Sequence, residues 1–122
     1  MTHRLSRFKL LLIASGLSQA GAAEYLNVRL DTVKSWSNGR AAAPDGVIFQ
    51  FVDLISLMDE LIKAELVTIR RRMSGITQSL KYAQWRGDLI GDASMPDSAI
   101  QMIMARIAAA GLSEGIAIDW DR

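Results

Sequence analysis

Ser18 to Pro44 read SQAGAAEYLNVRLDTVKSWSNGRAAAP, two short apolar-periodic stretches pinched around Asn27, the second closed by Asn38-Gly39. Ala22, Ala23, Leu26, Val28, Val33 and Trp36 fall where two helices crossing at a steep angle face each other and a shared core. Ala23 is small enough for close contact at the crossing. Ser18 has the side chain of an N-cap for the first helix. Asn27 sits at the tight turn, where a left-handed backbone is needed and Asn is among the few non-glycine residues that tolerate it. Gly39 ends the second helix by the same device.

Working outward, RLSRFKLLLIASGL, residues 4 to 17, forms an amphipathic helix ahead of this pair. Its apolar LLLIASG run is short and leads straight into the next helix, so it does not read as a signal peptide, and a cytoplasmic location is expected. The chain has 122 residues, a formal net charge of +1 and no cysteine. That length suits one domain, or one small domain with a dimerisation element. The absence of cysteine excludes a disulfide framework and a thiolate metal site. The near balance of charge means that any attraction for a polyanion must come from a local face. Up to Asp45, Arg4, Arg7, Lys9, Arg29, Lys34 and Arg40 outnumber Glu24, Asp31 and Asp45.

After Pro44 the pattern changes. From Val47 to about Met73, Ile48, Phe51, Val52, Ile55, Met58, Ile62, Leu66 and Ile69 recur at helical spacing, with Asp53, Ser56, Glu60, Lys63 and Arg71 opposite. Asp53, Asp59, Glu60, Lys63 and Glu65 argue against membrane insertion of this segment. Its apolar face is wide enough to serve both a core and a second surface, which suggests a dimer. Arg70, Arg71 and Arg72 then suit either a helix C-terminus, where the dipole favours cations, or a phosphate contact.

The last third reads as a small mixed unit. Ser79 to Arg86 is expected to be a strand, and GDLIGDAS a loop. Asp97 to Ala110 is expected to be a helix, with Pro96 at its start, Gly111 after its end and an apolar stripe of Ile100, Ile103, Met104 and Ile107. Ile116, Ile118 and Trp120 alternate with Ala117 and Asp119, as in a half-buried strand. Trp85 and Trp120 read as core or interface anchors. Two strands and one helix make a thin core, and pairing across a two-fold axis would thicken it.

Catalytic chemistry finds little support. Gly111 to Gly115 match the GxSxG pattern of a nucleophile elbow, but that motif needs a strand before the serine and a helix after it. Here a helix precedes and a strand follows, and the single histidine is His3. No paired-carboxylate site or histidine-rich cluster can be assembled. The chain is therefore expected not to be an enzyme, with no catalytic residues, no cofactor and no metal.

The stretch from Ser18 to Pro44, above all SQAGAAEYL, TVKSW and the Asn-Gly-Arg at 38 to 40, resembles without a gap the helix-turn-helix of Cro/CI-type (Xre-like) transcriptional repressors. The likeness covers about the first two fifths of the chain. It implies a mainly α protein: a lambda-repressor-like helical DNA-binding domain over residues 1–73, followed by a small α+β dimerisation unit over residues 74–122. In that family the second helix of the motif enters the major groove while the first crosses the phosphate backbone. Carried over, Gln19 opens a helix whose N-terminus meets a phosphate. Arg29, Leu30, Asp31, Lys34 and Ser35 become the readers of base edges, and Thr32, Asn38 and Arg40 contact phosphate. The chain departs from the pattern at Arg29, where a capping Ser or Thr is frequent, and at Leu30 and Asp31, where Gln, Arg or Ser more often form hydrogen bonds. Leu30 suits a thymine methyl, and Asp31 either cytosine N4 or a capping role, so the base preference stays open.

The layout as a whole, with MPDSAIQMIMARIAAAG followed by IAIDWD, resembles the two-domain anti-CRISPR-associated (Aca) autorepressors, which dimerise through their C-terminal part. This second resemblance implies a homodimer on double-stranded DNA, at a pseudo-palindromic operator in the promoter of its own operon. Many Xre-like proteins are antitoxins, so a protein toxin as a second partner is the alternative.

Overall fold

The computed structural model describes residues 5–71, 77–81 and 95–121. The chain is mainly helical: α1 (Arg7–Ser15), α2 (Gln19–Leu26), α3 (Leu30–Ser37), α4 (Asp45–Arg71), β1 (Thr77–Lys81), α5 (Asp97–Ser113) and β2 (Ala117–Asp121). It divides into two compact units, residues 1–57 with 96–99, and residues 58–95 with 100–122.

In the first unit every short helix is bounded by its own residues. Ser6 caps α1, its hydroxyl accepting from the Lys9 amide at 3.0 Å, and Gly16 ends that helix at φ 76°. Ser15, fully buried, donates to the Leu12 carbonyl and accepts from the Leu17 amide, which fixes the turn into α2. Ser18 caps α2 as expected, accepting from the Gly21 amide at 2.9 Å. Asn27 is left-handed, at φ 56° and ψ 49°. With it, the amides of Val28 and Asn27 reach back to the carbonyls of Ala23 and Glu24, which gives those helix-end acceptors partners.

The core of this unit is built around Phe8. Its ring meets those of Trp36 and Phe51 edge to face, each at 5.4 Å, and Tyr25 stands edge-on to Phe51 at 6.1 Å. Such pairs contribute about 0.5–1.5 kcal/mol beyond area burial. One aromatic cluster thus joins all four helices of the unit, with Leu12, Leu17, Ala22, Ala23, Val33 and Leu54 buried in the same core. Of the six residues expected at the crossing, Ala22, Ala23, Val33 and Trp36 are buried and Leu26 and Val28 are half-buried.

The second unit holds a two-stranded parallel sheet in which Thr77 pairs with Ala117 and Lys81 with Asp121. Parallel neighbours need a long crossover, and α5 lies within it. Ile100, Ile103, Ile107, Ile116 and Ile118 are buried with Met58, Leu61 and Ile69 of α4. Met104 of the expected stripe is half-buried. Ion pairs join Arg70 to Glu114 and Arg106 to Asp59.

Four boundaries differ from the expectation. The first helix, expected over residues 4 to 17, is confined to Arg7–Ser15 by the Ser6 cap and the left-handed Gly16. The long helix is continuous from Asp45 to Arg71; Arg72 and Met73 lie outside the described residues. The first strand covers Thr77–Lys81, and residues 82–94, with Trp85 and the expected loop, also lie outside them. Gly111 does not follow α5 but sits buried inside it, and the helix runs on to Ser113. The physical reason is packing: a Cβ at Gly111 would stand 2.5 Å from Ile118 Cδ1 and 3.1 Å from the Ile116 carbonyl oxygen. The residue that ends the helix is Gly115, at φ +79°. The amides of Ile116 and Gly115 return to the carbonyls of Gly111 and Leu112, at 2.8 and 3.1 Å.

Candidate nucleic-acid interface

On α3, Val33, Trp36 and Ser37 turn inward. Helical spacing then brings Asp31, Lys34 and Ser35 onto the opposite side, with Asn38 one turn beyond Lys34, while Leu30, three residues before Val33 and seven before Ser37, lies at the edge of the inward face. Leu30, Asp31, Lys34 and Asn38 are exposed, while Ser35 and Thr32 are half-buried at the margins. Leu30 keeps 39% of its surface in solvent.

Arg29 occupies the N-cap of α3 with extended backbone, φ −71° and ψ 147°, and its side chain makes no capping bond. An arginine cannot accept a hydrogen bond, so this helix start carries an exposed cation where another residue would serve the backbone. Asp31, in the first turn, suits the positive end of the helix dipole.

The far end of α3 is closed by Asn38, Gly39 and Arg40. Gly39 is left-handed at φ +81°, the Arg40 amide returns to the Ser35 carbonyl at 3.0 Å, and Asn38 Oδ1 accepts from the same amide at 3.1 Å. One face of the Asn38 amide is therefore occupied by the turn, leaving its NH₂ as the donor toward solvent. Arg40 is exposed directly beyond it.

Gln19 is the first residue of α2 and is half-buried. The first amides of a helix have no intrahelical partner. Ser18 takes that of Gly21, so the amides of Gln19 and Ala20 define the open positive end of α2. The nine residues singled out in the sequence thus divide among one open helix start, one exposed helix flank and one closed turn. All belong to the first unit.

One residue that positions this surface escaped the sequence reading. The Ser6 hydroxyl, besides capping α1, donates to the carbonyl oxygens of Trp36 and Ser37 at 2.9 and 3.1 Å. These are two of the last carbonyls of α3, which lack intrahelical partners. Ser6 therefore ties the start of α1 to the end of α3 across 30 residues of sequence. Its capping role is a local signal in SRFK, but a bond to a distant carbonyl leaves none. Beside it, the Ser37 hydroxyl is buried without a partner among the described residues.

Elsewhere, Ser113 of the GxSxG stretch is the last residue of α5, and its hydroxyl donates to the Ala110 carbonyl at 2.7 Å. Among the described residues no group of three His, Asp or Glu stands where it could hold a metal ion. None of the described helices is long and apolar enough to cross a membrane. Compared with protein-family models, curated proteins and solved structures, the chain finds no match.

Proposed function

We propose that the chain is a sequence-specific DNA-binding repressor in which α2, the turn at Asn27 and α3 act as a helix-turn-helix. It binds as a homodimer to an inverted repeat, within the promoter of its own operon. The observation that carries this reading is the exposed flank of α3, with Leu30, Asp31 and Lys34 in solvent between the Arg29 cation and the Asn38-Gly39-Arg40 turn. The flank is rigid because Val33 and Trp36 anchor its reverse side and Ser6 holds its end. Rigidity matters because a base contact discriminates only when its geometry is fixed before binding.

In a duplex the flank enters the major groove, where Arg29, Leu30, Asp31, Lys34 and Ser35 meet base edges, and Gln19, Thr32, Asn38 and Arg40 meet phosphates. Two copies related by a two-fold axis place their α3 helices about one helical turn, roughly 34 Å, apart, so the target is a pseudo-palindrome. Repression is steric, by occupying the promoter. It asks for no ligand.

The test is binding of the full chain to duplexes from its own promoter region over a range of salt. Affinity is expected to fall steeply with salt, because each phosphate neutralised releases counterions. Arg29→Ala is expected to change the ratio of affinities for cognate and scrambled duplexes, whereas Arg40→Ala lowers both alike. Salt-independent affinity, or the same uniform loss for both variants, contradicts the reading.

A further inference from the structure

The chain has two asparagines, Asn27 and Asn38, and the residues that follow them differ in the way that decides the fate of a side-chain amide. Asn38 precedes Gly39, which has no Cβ to shield its nitrogen. Its chain neighbours apart, nothing stands within 4 Å of the place a Cβ would take. Among the described residues the Gly39 amide makes no hydrogen bond, and Asn38, Gly39 and Arg40 are all exposed. Asn27 is exposed too, but it precedes the β-branched Val28, whose amide donates to the Ala23 carbonyl at 3.0 Å. One following nitrogen is thus open to react, and the other is occupied and shielded.

We propose that Asn38 is a self-modification site. The Gly39 nitrogen attacks Asn38 Cγ and closes a five-membered succinimide ring, while Asn38 Nδ2 leaves as ammonia with the proton that the Gly39 nitrogen gives up. Water then opens the ring at either carbonyl, giving aspartate or isoaspartate. Water is the sole co-reactant, and nothing is oxidised or reduced. Either product sets a carboxylate where the Asn38 NH₂ was a donor toward solvent.

The turn meters this step. Asn38 stands at φ −90° and ψ 0°, where the Gly39 nitrogen eclipses the Asn38 nitrogen instead of the Cβ, so ring closure needs rotation about ψ. Resisting that rotation are the bonds of the Arg40 amide to the Ser35 carbonyl and Asn38 Oδ1, and of the Ala41 amide to the Ser35 carbonyl at 3.4 Å. They close an exposed turn, the kind of structure that opens locally at small cost. The rate therefore follows how often the turn opens. The consequence rests on the DNA-binding reading, in which Asn38 meets a phosphate: the new carboxylate loses a donor and faces an anion, so the repressor releases its operator as it ages. A bound duplex holds the turn closed and slows the reaction.

Ageing of the full chain at neutral pH, followed by peptide mass spectrometry, tests the chemistry without DNA. The peptide holding Asn38 is expected to gain the mass difference between an amide and an acid and to separate into aspartate and isoaspartate forms, while the peptide holding Asn27 stays unchanged. Ser6→Ala, which frees the Trp36 and Ser37 carbonyls at the end of α3, is expected to quicken conversion about threefold or more. Gly39→Ala is expected to slow it, although strain at φ +81° loosens the turn. An Asn38 that stays an amide, equal conversion at Asn27, or a Gly39→Ala chain that converts as fast as the parent overturns the proposal. Its consequence is read with promoter duplexes: Asn38→Asp is expected to lower affinity about tenfold or more, and the aged parent is expected to fall in proportion to its converted fraction. Conversion with no loss of affinity in either overturns the link to release. A parent that converts but selects no duplex removes the DNA-binding reading alone, since the mass result stands without it.

Discussion

At the scale of single residues, serines and glycines rather than the charged side chains determine how firmly the candidate surface is held. Ser6 links two helices through one hydroxyl, accepting from the Lys9 amide and donating to the Trp36 and Ser37 carbonyls. Ser6→Ala removes a cap and leaves those carbonyls without that donor. A loss of about 1–2 kcal/mol is expected in denaturant unfolding, and hydrogen exchange at the Arg40 amide, which closes the end of α3, is expected to rise. Gly111 shows the opposite constraint, a place where nothing larger than hydrogen fits. Gly111→Ala puts a methyl against Ile118 Cδ1 at 2.5 Å, and a cost of about 1–3 kcal/mol is expected. Ile118→Val removes that Cδ1 and is expected to recover part of the loss. An additive double variant would show that the Ile116 carbonyl, 3.1 Å from the added carbon, is the true obstacle.

At the scale of elements, what could be read from the sequence was whatever is written locally. Ser18, Asn27 and Gly39 specify caps and left-handed turns by their own chemistry, and the structure has each in that role. The start of α5 at Asp97, after Pro96, and the alternation of Ile116, Ile118 and Trp120 belong to the same class of signal. Gly111 misled because a glycine near the end of an apolar run has two physical explanations, helix termination and close approach. Only the position of β2 distinguishes them. For the same reason the parallel pairing of Thr77–Lys81 with Ala117–Asp121 was out of reach: strand direction depends on where α5 returns the chain. In the candidate site, the exposed face of α3 follows from the positions of Val33 and Trp36 alone, and the resemblance supplied the roles of its residues. The Ser6 clamp was invisible because hydrogen bonds between residues 30 apart leave no periodicity. The extent of α4 was legible to within two residues at each end, but its buried stripe is displaced from the expected one: Phe51, Met58 and Ile69 are buried, whereas Leu54, Leu61 and Glu65 fill the core beside the half-buried Ile55, Ile62 and Leu66, and Val52 is exposed.

At the scale of the whole molecule, one exposed ion pair ties pH to the second unit. A hydrogen bond from Arg70, whose Nε donates to Glu114 Oε1 at 3.0 Å, holds the Glu114 carboxyl below its ordinary value, and the Arg70 guanidinium is raised correspondingly. The lowered carboxyl favours the folded chain above the normal carboxylate range, and that contribution fades as pH falls through the lowered value. The Arg70 contribution is fully present at neutral pH and fades only in strong alkali. Both side chains face solvent, so the effect on stability is small. It is nonetheless measurable: in an NMR titration the Glu114 midpoint is expected to move upward in Arg70→Gln. An unchanged midpoint would mean that the pair does not persist in solution.

The proposed repression rests on a single physical event, the entry of the α3 flank into duplex DNA. Selection of bound duplexes from a randomised pool, by the full chain and by Arg29→Ala in parallel, measures it most directly. The expected result is an enriched inverted repeat, with half-sites about 10 base pairs apart centre to centre, whose base preference within each half-site changes in the variant. A pool that stays random with the full chain, or an enriched sequence that Arg29→Ala selects unchanged, would contradict it.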